Sequence, residues 1–538
     1  MSYECFGAAR FVVIGQQMNN PNNAAVLRTL ITYGICVPLA IVIGYLVTNP
    51  MDYSTFGVFG IVALLLASPA LLRWHYPLLV LSWNMTMTLF FIKAEPNLWL
   101  VMTALSLTIS VLERALNSEM HFIRVPQITW PLLCLAAVVF MTARLTGGLG
   151  FRAFGSEVYG GKKYVFLLVG ICSYFALTAR RIPLERAGLY VALFFLGGMT
   201  NVIADLHPLA PSWTEPVFWL FPPNIFSFYN FQLGQTRLGG FGTAGVMVWY
   251  LLMARYGIRG IFLSRKLWRL PVFFLPILMI FLGGYRSQLF LAGLIFMFQF
   301  FLEGLHRTIL LPIFAGLGVL AAATIIPTAS DLPVTFQRTL AFLPLQLDSQ
   351  VRQEAQASVD WRVNMWNALL PQIPQHLLLG KGLAISPEEY NEMMGGTALG
   401  TLTGEFDPSQ NVSALAYDYH SGPLSVILPF GIWGAIAFLW FLAAGFWVMY
   451  CNFRYGDPAL QTINRFLFAA FLVDVILFML VFGALSTDMA KFVSFLGLSV
   501  ALNGGVCRPA PQPVPDRETF FEQAGALPRP QPRPAFPQ

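Results

Sequence analysis

Long apolar runs recur along almost the whole chain, broken by short polar or Gly- and Pro-containing connections. Candidate membrane spans lie near 30–48, 56–72, 76–93, 97–112, 125–145, 163–179 and 187–204, then near 240–254, 271–284, 287–303, 308–326, 421–450, 464–485 and 488–504. A span needs about 20 apolar residues, fewer with tilt or bilayer thinning. Several of these runs are short, so the expected number is about 12–14. The pattern divides the chain into a segment 1–29, a transmembrane region 30–326 interrupted by an aromatic loop at 205–239, a large segment 327–420, C-terminal transmembrane helices at 421–504, and a Pro-rich tail at 505–538. Within the large segment, SQVRQEAQASVDWRVNMWNALLPQI (349–373) places Val359, Val363, Trp366 and Leu370 at helical spacing. That spacing predicts an amphipathic helix closed by Pro371 and Pro374. The stretch 395–411 is rich in Gly and Thr and predicts a loop, and the tail composition cannot build a core.

Composition agrees with the pattern. Of 538 residues, 57% are hydrophobic and only 11% charged, against about 25% charged in an average soluble domain. The fold class expected is all-α, a polytopic integral membrane protein. Lys and Arg near span ends set orientation. Arg255, Arg259, Arg265, Lys266 and Arg269 crowd one short connection, and Arg180, Arg181 and Arg186 another. Both connections are expected on the cytoplasmic side, which puts both termini inside and the segments 205–239 and 327–420 outside. The net charge of +6 is then read as topology and not as nucleic-acid binding. The N-terminal residues show no cleavage pattern of a signal peptide. The six cysteines are scattered without a C-x-x-C pair, so neither a disulfide framework nor a metal site is expected.

Charge is scarce in the outer segments, so its positions carry information. Tyr285 and Arg286 occupy a very short turn, GGYRSQ, between two apolar runs; Arg338, Arg352 and Arg362 follow, the last on the amphipathic helix. Lys381 lies in a Gly-Lys-Gly turn, and His420 closes the segment where the next apolar run begins. Each has a bland reading: an arginine at a membrane surface snorkels to water, one on a helix faces solvent, and a histidine at a span end is an anchor. Together they admit a sharper one. Guanidinium forks bind phosphate bidentately and stay charged, so several around one cavity mouth suit a pyrophosphate or an ordinary lipid headgroup. His420 can exchange a proton near neutral pH.

His420-Ser421, nine residues, then Gly431-Ile432-Trp433-Gly434 resembles the H-[NSQ]-x9-G-x-x-[GTY] signature of the O-antigen ligase superfamily, which includes Wzy-type polymerases. The stretch WRVNMWNALLPQIPQHLLLGKGL looks like that family's Arg…Trp…Gly-x-Gly segment, and GGYRSQLFLAG is similar to its Ser-Arg turn before a span. The resemblance covers about 270–450. It implies a GT-C-like membrane glycosyltransferase of the bacterial inner membrane, with its site facing the periplasm. The donor implied is an undecaprenyl-pyrophosphate-linked glycan; the acceptor is lipid A-core, another lipid-linked glycan or a different acceptor. No cofactor, metal or nucleic acid is implied. Carried over, Arg286 and Arg362 clamp the pyrophosphate and His420 orients or deprotonates the acceptor hydroxyl, with inversion at the anomeric carbon. Arg338, Arg352, Lys381 and Tyr285 are expected to bind substrate. A ligase is the leading expectation and a Wzy-type polymerase the alternative; a polysaccharide transporter predicts more charge within the spans, and a non-catalytic scaffold predicts indifference to these residues. Pro423 and Pro429 predict a bend at the entrance of the span that follows His420.

Overall fold

The computed structural model describes residues 53–92, 95–117, 121–148, 160–223, 237–385 and 418–509, with isolated positions between 33 and 44 and at 119. The N-terminal segment, most of the first expected span, the 395–411 stretch and the tail from 510 lie outside the described residues. Among the described residues the structure is helical, with one isolated bridge between Thr88 and Asn97. Helices Leu98–Leu116, Pro126–Leu145, Leu184–Leu209, Leu310–Asp331, Gly422–Tyr455, Pro458–Leu480 and Leu485–Asn503 are long and apolar enough to cross a membrane. Two long helices, Tyr53–Ser82 and Gly239–Phe262, and two shorter apolar ones, Arg269–Gly283 and Arg286–Leu302, pack among them. The protein is an all-α polytopic membrane protein.

The core is aromatic and interlocked. Phe195, Tyr250, Phe466 and Phe495 come from four different helices, with ring centroids 5.3–6.5 Å apart. Edge-on packing of this kind supplies cohesion that apolar burial alone does not supply between helices in lipid.

Two expected boundaries moved. The runs at 56–72 and 76–93 form one helix, Tyr53–Ser82, that passes through Pro69 and Pro77. An irregular segment then follows, in which Trp83 packs on Trp99 at 5.1 Å. The apolar run therefore overstates the second span, because aromatic residues past Ser82 are buried by packing and not by helix formation. The span expected at 240–254 continues to Phe262, through Gly257 at φ 61°, ψ 178°. Backbone donors freed by that break need partners in a dry interior. Glu303 supplies them: its carboxylate oxygens accept from Ile258 N and Arg259 N, each at 2.9 Å.

A second break governs the functional end of the molecule. The Gly422–Tyr455 helix is interrupted at Gly431, φ 63°, ψ −162°. The 377–382 turn, with Gly380 and Gly382 at positive φ, is spliced into the gap. Lys381 N donates to Leu428 O at 2.8 Å, Gly382 N to Pro429 O at 2.9 Å, and Ile432 N to Leu377 O at 2.7 Å. Three bonds that the helix gives up are thus made by the turn. The bend lies here and not at the helix entrance, since Pro423 occupies the first helical turn, where its missing N–H costs nothing.

Helix Leu485–Asn503 sets the depth of the molecule. At its start Leu485 N donates to Ser425 Oγ, close to His420; near its end Ala501 O accepts from Ile182 N, beside Arg180 and Arg181. Its 19 residues rise roughly 28 Å at 1.5 Å each, so the His420 end and the Arg180 end lie on opposite faces of the helical layer.

Candidate active site

Several segments converge on one cavity of about 820 Å³, lined by Arg237, Tyr285, Arg286, Arg338, Arg362 and His420 among others. Each reaches it for a local reason. Helix Arg269–Gly283 ends on Gly284, which takes φ 66° as its C-cap, and that left-handed cap reverses the chain in two residues. Tyr285 is extended, and Arg286 is the first residue of the next helix, Arg286–Leu302, which has no side-chain cap. Arg286 therefore stands beside open backbone N–H groups at a helix N-terminus, an arrangement that favours anions. Arg338 lies on the short helix Val334–Leu340. Buried Gln337 ties that helix down by donating to Ser330 O and Leu332 O and accepting from Asp348 N. Asp348 in turn caps helix Ser349–Leu369 through Gln350 N.

That helix presents Val351, Glu354, Ala355, Ser358 and Arg362 to the cavity, spaced three and four apart on one face. The apolar stripe expected to pack is elsewhere: Val359, Val363 and Leu370 are exposed, while Trp366 donates its indole N–H to Tyr419 O at 2.8 Å. The helix buries Val351 and Met365 and packs Trp361, Trp366 and Leu369 against the core, and the Arg338–Glu354 pair, two hydrogen bonds of 2.7 and 2.9 Å, joins it to the preceding helix.

The cavity is strongly cationic. Glu354 neutralises Arg338, and among the described residues Arg286 and Arg362 make no salt bridge. Arg237 lies 4.0 Å over the Tyr285 ring and reaches Gly284 O, and the Nε atoms of Arg237 and Arg362 are buried without a partner. Burial lowers the pKa of both; Arg338 and then Arg286 lower that of Arg237 further while Tyr285 and Glu354 oppose them, and Arg286 lowers that of Arg362 while Asp418 opposes it. Arginine stays charged under such shifts, so the cluster holds concentrated, under-compensated positive charge with Arg286 acting on both sides of it. Phe290, Phe342, Val481 and Phe482 provide an apolar flank.

His420 sits at φ 46°, a strained backbone for a residue with a side chain. Its ring meets the Trp361 ring edge-on at 5.2 Å, and its Nδ1 lies 3.8 Å from Asp418. Burial lowers its pKa, Asp418 opposes that, and Arg362 lowers it again. The imidazole is therefore neutral at pH 7 and able to take a proton.

Of the sequence candidates, Tyr285, Arg286, Arg338, Arg362 and His420 share the cavity. Arg352 is exposed on another face of its helix and does not line the cavity. Lys381 does not line it either; its backbone belongs to the splice at Gly431. Arg237 is an addition from the structure. Like Arg286 it is an arginine close to the start of a span in a charge-poor segment, but it sits at the end of a loop read for its aromatics.

Residues 271–439 match the family model described as O-antigen ligase. The match supports the O-antigen ligase and Wzy-type superfamily. It begins just before the Tyr285–Arg286 turn and ends inside the Gly422–Tyr455 helix, so it takes in Arg286, Arg338, Arg362, His420 and the splice, and leaves out Arg237. No curated protein matches the chain.

Proposed function

We propose that this protein is an inner-membrane glycosyltransferase of the O-antigen ligase type, which moves a glycan from an undecaprenyl-pyrophosphate donor to an acceptor on the periplasmic face. The observation that carries the reading is the cavity itself: guanidinium groups of Arg237, Arg286 and Arg362 that form no salt bridge among the described residues, beside an apolar flank and a neutral His420. A lipid pyrophosphate has the matching halves, two phosphates for the arginines and an isoprenoid chain for the apolar side.

In the reaction proposed, the acceptor hydroxyl oxygen attacks the anomeric carbon as the bond from that carbon to the pyrophosphate oxygen breaks. The electron pair leaves with the lipid pyrophosphate, whose growing negative charge meets Arg286 and Arg362. The hydroxyl proton passes to the imidazole of His420. Displacement in one step inverts the anomeric centre. Preorganised charge at the leaving group is the largest contribution, because it needs no reorganisation during the reaction.

A reconstituted assay with an undecaprenyl-pyrophosphate glycan, run with and without lipid A-core, tests the reading. A product formed only with the acceptor is expected. A glycan ladder formed without it makes the protein a polymerase, and no product under either condition removes the proposed donor.

The acid limb of the pH profile is a second test. A base of depressed pKa is neutral above that value and is lost as pH falls through it. Transfer is therefore expected to be flat through neutrality and to fall only below the ordinary histidine value of about 6.5. Asp418→Asn removes the influence that raises the His420 pKa and should move the limb to still lower pH. A limb above 6.5, or one that Asp418→Asn leaves in place, counts against His420 as the base.

A further inference from the structure

A second cationic recess lies at the opposite face of the helical layer. It has a volume of about 440 Å³ and is lined by Arg73, Arg180, Arg181 and Arg186, with Trp74, Tyr76 and Tyr190 between them and, among the described residues, no acidic side chain. Its position follows from the contacts already described: Ile182 N is bonded to Ala501 O, at the far end of the helix that starts beside Ser425. Tyr76 Oη donates to Leu177 O at 2.7 Å and closes the floor.

The charge in the recess is only partly spent. Glu113, outside the recess, pairs with Arg180. Among the described residues Arg73, Arg181 and Arg186 form no salt bridge, and Arg180 Nε is buried without a partner. The rim is apolar and faces outward: Trp74 is 56% and Leu189 57% exposed, an apolar surface that lipid chains can cover. Four arginines under an aromatic, lipid-facing rim differ from snorkelling arginines, which point away from apolar surface one by one.

We infer that this recess binds the phosphate of an anionic lipid headgroup from the leaflet opposite the catalytic cavity. The guanidinium groups take the phosphate oxygens, and the acyl chains run along Trp74 and Leu189. The same chemistry would accept a phosphate group on a soluble molecule, and the experiment separates the two sources. The inference does not depend on the transferase reading, since it rests on residues away from the cavity of Arg286 and His420.

Binding of phosphatidylglycerol and of phosphatidylcholine to the full chain is measured by native mass spectrometry in detergent. The variants are Arg73→Gln/Arg186→Gln, Arg286→Gln and the wild type. The wild type and Arg286→Gln should retain phosphatidylglycerol in preference to phosphatidylcholine, and the double variant should bind it at least about tenfold more weakly, or 1.4 kcal/mol. Equal retention by the double variant, or loss in Arg286→Gln alone, overturns the inference. Displacement of the bound lipid by excess inorganic phosphate assigns the recess to a soluble anion and overturns the lipid assignment. Arg73 and Arg186 are both exposed, so the double variant should melt as the wild type does in phosphatidylcholine; if it does not, Arg186→Gln alone carries the same comparison.

Discussion

Replacing Arg286 with glutamine is expected to lower the transfer rate by a factor of about 100 to 1,000, or 3–4 kcal/mol, the loss that follows removal of one preorganised charge-stabilising donor. Arg286 is chosen because it is the guanidinium felt from both sides of the cavity, by Arg237 and by Arg362. It also stands at the start of a helix that has no side-chain cap, where the helix N-terminus favours an anion. Glutamine keeps some hydrogen-bond capacity while removing the charge and the fork, so the variant should insert and melt like the wild type. Arg286→Lys should recover part of the rate, because an ammonium restores charge without the planar fork. Arg362→Gln should behave like Arg286→Gln, and His420→Ala should lose transfer as well. Arg352→Gln is the internal control: this residue lies off the cavity and should retain the wild-type rate. If Arg286→Gln transfers at the wild-type rate, the leaving group does not sit at these arginines.

Gly431→Ala should have an effect of similar size for a different reason. A backbone at φ 63°, ψ −162° is open to glycine and almost closed to residues with a Cβ. A Cβ there would also come within 2.6 Å of Leu377 O. That carbonyl cannot retreat without breaking its bond from Ile432 N, and the neighbouring bonds from Lys381 N and Gly382 N would follow. The expected loss is about 3 kcal/mol or more of stability, from strain and overpacking together. It should be visible as a lower melting temperature in detergent and as lost transfer, because the displaced half-helix begins two residues after His420. Gly293→Ala makes the comparison fair. It sits in helix Arg286–Leu302, where an added methyl group would meet no atom within 4 Å, and alanine is the better helix former there by about 1 kcal/mol. A Gly431→Ala protein that melts and transfers like the wild type would show that the splice bears no stress.

The family-like motifs divide between cavity chemistry and backbone geometry. Arg286, Arg362 and His420 supply charge and a proton site to the cavity. Gly380 and Gly382 of the Gly-Lys-Gly turn and Gly431 of Gly-Ile-Trp-Gly supply none of that chemistry; they let the turn and the broken helix exchange backbone hydrogen bonds. Lys381, which reads from the sequence as a substrate ligand, lies between glycines that are there for the splice. Its charge attracts notice in a charge-poor segment, but the spacing around it is set by backbone geometry.

What the sequence determined by itself was the membrane solution and the short list of chemistry. Apolar runs too long and too dense for a soluble core admit only helices in a bilayer, because each backbone polar group must find its partner within its own segment. In such a chain the few basic residues noted in the segments expected outside, Arg286, Arg338, Arg352, Arg362 and Lys381, together with His420, stand out by scarcity. The tertiary structure decided which of them meet. Arg362 turns to the cavity while Arg352, ten residues earlier on the same helix, does not, since the Arg338–Glu354 pair fixes the rotation of that helix. Arg237 joins from a separate loop, 49 positions before Arg286, and local pattern carries no record of contacts at that distance. The breaks at Gly257 and Gly431 were equally hidden. A helix in an apolar interior can open only where another segment supplies donors and acceptors, and Glu303 and the 377–382 turn become those partners only once the chain has folded around them.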